Sequence, residues 1–97
     1  MAETVTLVSG RVDPDRHAAV VRQYEEGTAQ GLPTAIEETF LLRNPDGDQL
    51  AIMTIWATRQ ELDAMLATGE EPFARRLIRT AGGTPEVHIF DVVLRVR

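Results

Sequence analysis

The chain has 97 residues, a formal net charge of −5 and 43% hydrophobic residues, an ordinary composition for a globular domain. The acidic balance argues against a nucleic-acid partner or an anionic membrane surface, because both need clustered positive charge. No apolar run approaches the ~18–20 residues of a membrane span, and the first residues do not resemble a signal peptide. We therefore expect one domain over residues 1–97, located in the cytoplasm, with no membrane or nucleic-acid partner.

Missing residue types exclude several kinds of chemistry. There is no Cys, which excludes disulfides, thiolate nucleophiles and cysteine-ligated metals. There is no Lys, which excludes Schiff-base catalysis and the phosphate-binding lysine of a P-loop. His88 and Asp91 are three positions apart on a predicted strand, so they face opposite sides and cannot form a metal site by themselves. We predict no metal and no cofactor.

The first half of the chain predicts a strand, a helix and a hairpin. Thr4–Val12 is rich in β-branched residues and predicts a strand, and Asp13 followed by Pro14 predicts a helix start. Spacings of three and four predict an amphipathic helix to about Glu26, with His17 and Tyr24 on its apolar side. The turn sequence at residues 44–47 then predicts a hairpin in which Gly47 has a positive φ. The hairpin joins strands Ala35–Arg43 and Gln49–Ala57.

The second half predicts an interrupted helix and a long last strand. Thr58, with Glu61 three residues later, matches a capping box and opens a short helix. Residues 68–72 break this helix, a second segment runs to about Ala81, and Gly82 and Gly83 end it. Val87–Val96 predicts a strand that is apolar on both faces.

The resulting order, β-α-β-β-α-β, predicts an α+β, ferredoxin-like fold with an antiparallel sheet and helices on one face. Apolar residues on both faces of the third and last strands leave one sheet face uncovered. A second copy of the same sheet is the simplest cover, so we expect a homodimer through sheet faces.

Residues 52–62, with the sequence IMTIWATRQEL, are similar to a segment of the antibiotic-biosynthesis-monooxygenase-like family of dimeric α/β barrels. The shared features are a strand ending in Trp, a Thr cap, and Glu-x-Leu opening a helix. The last strand, residues 90–96, also resembles that family. The resemblance implies two sheets that close into a barrel between subunits, with a pocket in each subunit between sheet and helices.

Two activities are known in that superfamily. One is cofactor-independent oxygenation of phenolic or anthrone-like polyketides. The other is haem degradation, which in the family uses an Asn on the first strand, a Trp ending the third strand and a His on the second helix. This chain has the Trp, at position 56, but no Asn within Thr4–Val12 and no His between Thr58 and Ala81. The haem activity is therefore disfavoured.

Four residues are candidates for catalysis. Trp56 would provide a surface on which a flat ring stacks, although a lone Trp is equally compatible with a position in the hydrophobic core. Arg76 lies on the same helical side as Phe73 and would hold a substrate oxyanion, although a run of arginines usually forms a solvated face. His17 or Tyr24 would relay a proton, although each also suits a structural position.

The expected substrate-contacting residues are Thr54, Phe40, Met65 and Phe73. The predicted function is a cofactor-independent monooxygenase-like activity on a small aromatic or polyketide-type substrate. The alternative is a dimer of the same fold that binds a small aromatic ligand, or is purely structural, without catalysis. This alternative stays open because no two polar candidates lie at a diagnostic spacing.

Overall fold

A computed structural model describes residues 3–97; Met1 and Ala2 of the expected domain lie outside the described residues. Four antiparallel strands form one sheet in the order β2-β3-β1-β4. The predicted ferredoxin-like α+β arrangement is confirmed. The strands are β1 (Thr4–Arg11), β2 (Ile36–Arg43), β3 (Gln49–Trp56) and β4 (Glu86–Asp91).

Three helices lie on one face of this sheet. A 3₁₀ turn at Pro14–Arg16 leads into α1 (His17–Thr28), followed after the hairpin by α2 (Arg59–Leu66) and α3 (Phe73–Thr80). The predicted break between the last two helices is confirmed. Thr58 caps α2 by accepting a 3.2 Å hydrogen bond from the Glu61 amide, as the capping box predicts.

Strand register decides which residues meet the helices. Along β3, Leu50, Ile52, Thr54 and Trp56 are all buried, whereas the residues between them are half-buried. The helix-facing side of β1 pairs with this set, with Thr6 opposite Thr54. Alternation with period two therefore separates a helix-covered face from an open face of the same sheet.

The core lies at one end of the helix-covered face. Ile78 of α3 is fully buried beside Gly10 of β1, which lies opposite Leu50. Val12 and Val20 complete this end, each about 1% exposed. Close packing here requires Gly10, because a Cβ at that position would lie 2.6 Å from Ile78 Cγ2 and 3.0 Å from the Thr84 carbonyl oxygen.

Two local expectations are wrong. The last strand ends at Asp91 rather than Val96: Asp91 lies opposite Thr4 at the start of β1, and one further backbone bond, from Val92 N–H to the Glu3 carbonyl oxygen, lies beyond the strand. The hairpin turn is present, but Gly47 does not have a positive φ. Instead, the Asn44 side chain accepts a hydrogen bond from the Asp46 amide and closes the turn at 3.0 Å.

Within residues 3–97, no helix combines the length and the apolar character that crossing a bilayer would require.

The Gly10→Ala variant tests the packing of the core end. We expect its free energy of unfolding to fall by about 1–3 kcal/mol, because the added methyl meets a buried Ile and a backbone carbonyl. The matched control is Gly47→Ala, whose added Cβ has no neighbour nearer than 3.7 Å. Urea unfolding curves compare the two, and equal stability of both variants would contradict this packing.

Candidate functional site

A cavity of about 480 Å³ opens between the sheet and all three helices. It lies at the opposite end of the helix-covered face from Ile78 and Leu50, where Trp56 ends β3. Its walls are almost entirely apolar or carry a neutral hydroxyl group. They are formed by Thr6, Val8, Tyr24, Gly27, Thr28, Gly31, Leu32, Pro33, Ala35, Ile36, Thr39, Ile52, Thr54, Trp56, Leu62, Met65, Leu66, Pro72, Phe73, Ala74, Arg75 and Val87.

Trp56 forms one end of the cavity. Its position is fixed twice, by pairing of its backbone with Thr4 and by the start of α2 three residues later. The indole Nε1 donates a 3.0 Å hydrogen bond to Thr6 Oγ1, so its polar edge is satisfied inside the protein. The ring is 7% exposed, and what it offers a ligand is an apolar surface.

A chain of three hydroxyl groups crosses the cavity wall. Tyr24 donates a 3.0 Å hydrogen bond to Thr39, and the hydroxyls of Thr39 and Thr54 are 3.3 Å apart. Each residue comes from a different element, namely α1, β2 and β3. The two bonds use two of the three hydroxyl protons, which leaves one proton for a ligand oxygen.

Phe73 and Met65 line the cavity on the helix side, as expected from the sequence. The Phe73 ring packs directly on the backbone of α1 at Gly27. A Cβ at Gly27 would lie 2.4 Å from Phe73 Cζ, so only Gly allows this approach. The helix, expected to run to about Glu26, continues to Thr28, so Gly27 lies inside α1, where it makes room for the ring.

Arg75 lines the cavity, and the predicted Arg76 does not. Arg76 is exposed, and its guanidinium carbon lies 5.8 Å from the Phe73 ring centroid in a cation–π contact. Arg75 is half-buried. Successive helical residues are turned by about 100°, so only one of two neighbouring arginines can face the cavity.

His17 and Phe40 lie outside this cavity. His17 is buried and its Nε2 donates a 2.8 Å hydrogen bond to the Val12 carbonyl oxygen, which holds the start of α1 on the end of β1. Phe40 pairs with Met53 and shares the open sheet face with it. Both residues line a second groove along the β2 edge, and Tyr24 and Thr39 line that groove as well as the cavity.

In the described chain, the side chains whose pKa values are shifted form pairs on the surface and do not line the cavity. Arg79 donates hydrogen bonds of 2.6 and 2.9 Å to Glu71 and holds the pKa of that carboxyl below its usual value. A hydrogen bond between the carboxyl groups of Glu3 and Glu37 lowers the pKa of Glu3 and raises that of Glu37.

No group of three or more His, Asp or Glu side chains in residues 3–97 is placed to hold a metal ion. Among the cavity-lining residues named above there is no His, so a haem iron would find no imidazole ligand there. A bound group in this cavity would instead meet aromatic rings, aliphatic side chains and hydroxyls.

Five of the residues predicted from the sequence, Trp56, Tyr24, Thr54, Met65 and Phe73, line one cavity, whereas Arg76, His17 and Phe40 do not, and several lining residues were not predicted. The missed residues were Thr6 and Thr39, the hydroxyl partners of Trp56 and Tyr24, together with Gly27 and Arg75. Strand alternation was a usable signal for Thr6, which is two residues before Val8 on the same face. No local signal distinguishes Arg75 from Arg76.

A double-mutant cycle tests the hydroxyl chain. Tyr24→Phe and Thr39→Val each remove one partner of the same hydrogen bond. We expect each single variant to lose about 0.5–1.5 kcal/mol of unfolding free energy, and the double variant to lose less than the sum of the two. Additive losses would contradict the bond.

No protein-family model and no curated protein matches the sequence. Solved structures do match it over nearly the whole chain. SnoaB, a cofactor-independent oxygenase from Streptomyces nogalater, is 19% identical, with a TM-score of 0.68 over 99% of this chain and 98% of its own. A protein of unknown function from Nitrosomonas europaea is 14% identical, with a TM-score of 0.70 over 100% and 95% of the two chains.

A proposed antibiotic biosynthesis monooxygenase from Chloroflexus aurantiacus is 17% identical, with a TM-score of 0.65 over 98% of this chain and 97% of its own. At these identities the similarity establishes the fold, and it confirms at that level the resemblance noted in the sequence. The chain has the ferredoxin-like α+β fold of the antibiotic-biosynthesis-monooxygenase-like proteins.

Proposed function

We propose that this protein is a cofactor-independent monooxygenase that acts on a small aromatic or polyketide-type substrate bound in the cavity. The observation that supports the proposal most is the cavity itself: about 480 Å³, apolar, with Trp56 at one end and a hydroxyl chain on one wall. This volume is within the ordinary range of small-molecule sites, about 300–1,000 Å³. SnoaB, of the same fold, is described as a cofactor-independent oxygenase.

The chemistry requires no bound redox group. Oxidation of an anthrone CH₂ to a carbonyl by O₂ forms one C=O bond and one molecule of water, and the substrate supplies all four electrons. The protein has to hold the ring, exclude water and stabilise the anion formed when the substrate loses a proton. An apolar cavity strengthens a hydrogen bond to such an anion, because little water competes for it.

Four residues would carry out these tasks. Trp56 forms the wall on which the flat ring stacks. The free proton of the Tyr24–Thr39–Thr54 chain is donated to the substrate oxygen. Tyr24 donates to Thr39, so the chain presents a donor to the cavity, and the proton that the substrate loses ends in the water molecule formed with the carbonyl.

Turnover of an anthrone under O₂ tests this function. We expect Tyr24→Phe and Thr39→Val to lower kcat by about 10²-fold, since each interrupts the hydroxyl chain. The matched control is Thr80→Val, which removes a hydroxyl at the end of α3 that donates to the Leu77 carbonyl, outside the cavity wall. Unchanged turnover in both cavity variants would contradict the assigned roles.

Ligand binding without catalysis is the second candidate function. It is favoured by the absence of any carboxylate or imidazole among the cavity-lining residues, because these are the commonest general bases. The same assay separates the two candidates. A compound that raises the melting temperature and is recovered unoxidised supports binding alone, whereas any quinone product supports the enzyme.

The proposal includes a second copy of the chain on the open sheet face. This face carries half-buried Leu7, Met53 and Ile55 together with Phe90, which is 55% exposed. The segment after β4 adds three apolar side chains that are each at least 80% exposed, Val93, Leu94 and Val96. Apolar surface on this scale is usually covered by a partner.

Sedimentation equilibrium at micromolar concentration tests this partner. We expect a particle of twice the 10.8 kDa chain mass, and a shift of Phe90→Asp toward the single-chain mass. Val21→Asp is the matched control, because Val21 is also exposed, at 41%, but lies on helix α1 rather than on the sheet. A wild-type chain that sediments as a monomer would overturn the dimer and the two-sheet barrel.

A further inference from the structure

Arg75 is the one charged residue among those that line the cavity. It is half-buried, and within residues 3–97 it forms no ion pair and no side-chain hydrogen bond. The acidic residue four positions earlier, Glu71, is already engaged: Arg79 binds both of its carboxylate oxygens. Arg75 therefore lies on the wall of an apolar cavity without a salt bridge from the described chain, although its charge helps to lower the pKa of nearby Glu71.

Folding alone gives no reason for this charge. A guanidinium turned toward an apolar wall loses solvation, and Arg75 has no salt bridge within residues 3–97 to offset that loss. Arg75 also lies in the first turn of α3, where the helix dipole is positive and an acidic residue is the favourable choice. An anion placed in the cavity near Arg75 would remove both costs.

We infer that the ligand of this cavity is an aromatic carboxylate, whose ring lies between Trp56 and Phe73 and whose carboxylate pairs with the Arg75 guanidinium. The inference rests on the proposed function for the ring and adds the charged group that orients it. A guanidinium matches a carboxylate through two parallel hydrogen bonds, so the pair fixes direction as well as position. The ring atoms near the Tyr24–Thr39–Thr54 chain are then those remote from the carboxylate.

Binding of two matched probes tests the inference. Anthraquinone-2-carboxylate and anthraquinone-2-carboxamide share shape and ring system but differ in charge, and neither has a CH₂ group to oxidise. We expect calorimetry to show that the wild-type chain binds the carboxylate about 10-fold more tightly than the amide. The reason is that a hydrogen bond between two charged groups contributes more binding free energy than one to a neutral amide. In Arg75→Gln the two dissociation constants become equal within about twofold, and the amide binds as in the wild type.

Controls separate a specific contact from general attraction. Arg22→Gln removes the same charge from the exposed surface of α1 and is expected to keep the preference for the carboxylate. Arg75→Lys keeps the charge without the bidentate geometry and is expected to retain part of the preference; it also replaces Arg75→Gln if that variant does not fold.

Three outcomes would overturn the inference, and they are distinguishable. If the wild-type chain binds the two probes equally tightly, the proposed carboxylate contact is wrong, but the proposed aromatic site is still supported. Loss of the preference in Arg76→Gln, with Arg75→Gln unaffected, assigns the anion to the outer arginine instead. Failure of both probes to bind removes the proposed aromatic site, and the inference with it.

Discussion

A single four-stranded sheet with two apolar faces and helices on only one of them sets the conditions for everything else in this molecule. The helix-covered face is itself divided along the strands. At one end Leu50 lies opposite Gly10 and packs with Ile78 into a closed core. At the other end Trp56 lies opposite Thr4, and Thr54 opposite Thr6, so that hydroxyls and one indole replace aliphatic side chains.

The helices leave the second end unfilled. α2 and α3 are eight residues each and are separated by residues 67–72, so neither covers the full length of the sheet. α3 approaches α1 through the Phe73 ring on Gly27, and the space behind this contact is the cavity. One end of the chain's small core thus supplies stability, and the other supplies a site for a ligand.

Local sequence signals predicted the elements well, because each depends on neighbouring residues. The Thr58 capping box, the turn at Asn44 and the helix break before Phe73 are all encoded within a few positions. The cavity wall depends on longer-range geometry. Phe40 was expected there, but a bulge between Ile36 and Glu38 changes the alternation of β2, so Ile36 and Thr39 share the cavity face.

The two charged candidates illustrate the same limit. Arg75 and Arg76 are adjacent in the sequence, and the docking of α3 decides which of them lines the cavity. His17 was placed correctly on the buried side of α1, but its hydrogen bond to the Val12 carbonyl depends on how the helix begins. Such choices depend on packing between elements, which spacing along one element does not determine.

The central claim is that an aromatic ligand binds on the helix-covered face and not on the open face. The methionines make this directly measurable, because Met65 lines the cavity whereas Met53 lies on the open face. In a ¹³C-methyl-methionine NMR titration with anthraquinone-2-carboxylate, the Met65 signal and the Trp56 indole N–H should shift while Met53 stays in place. A shift confined to Met53 would contradict the account.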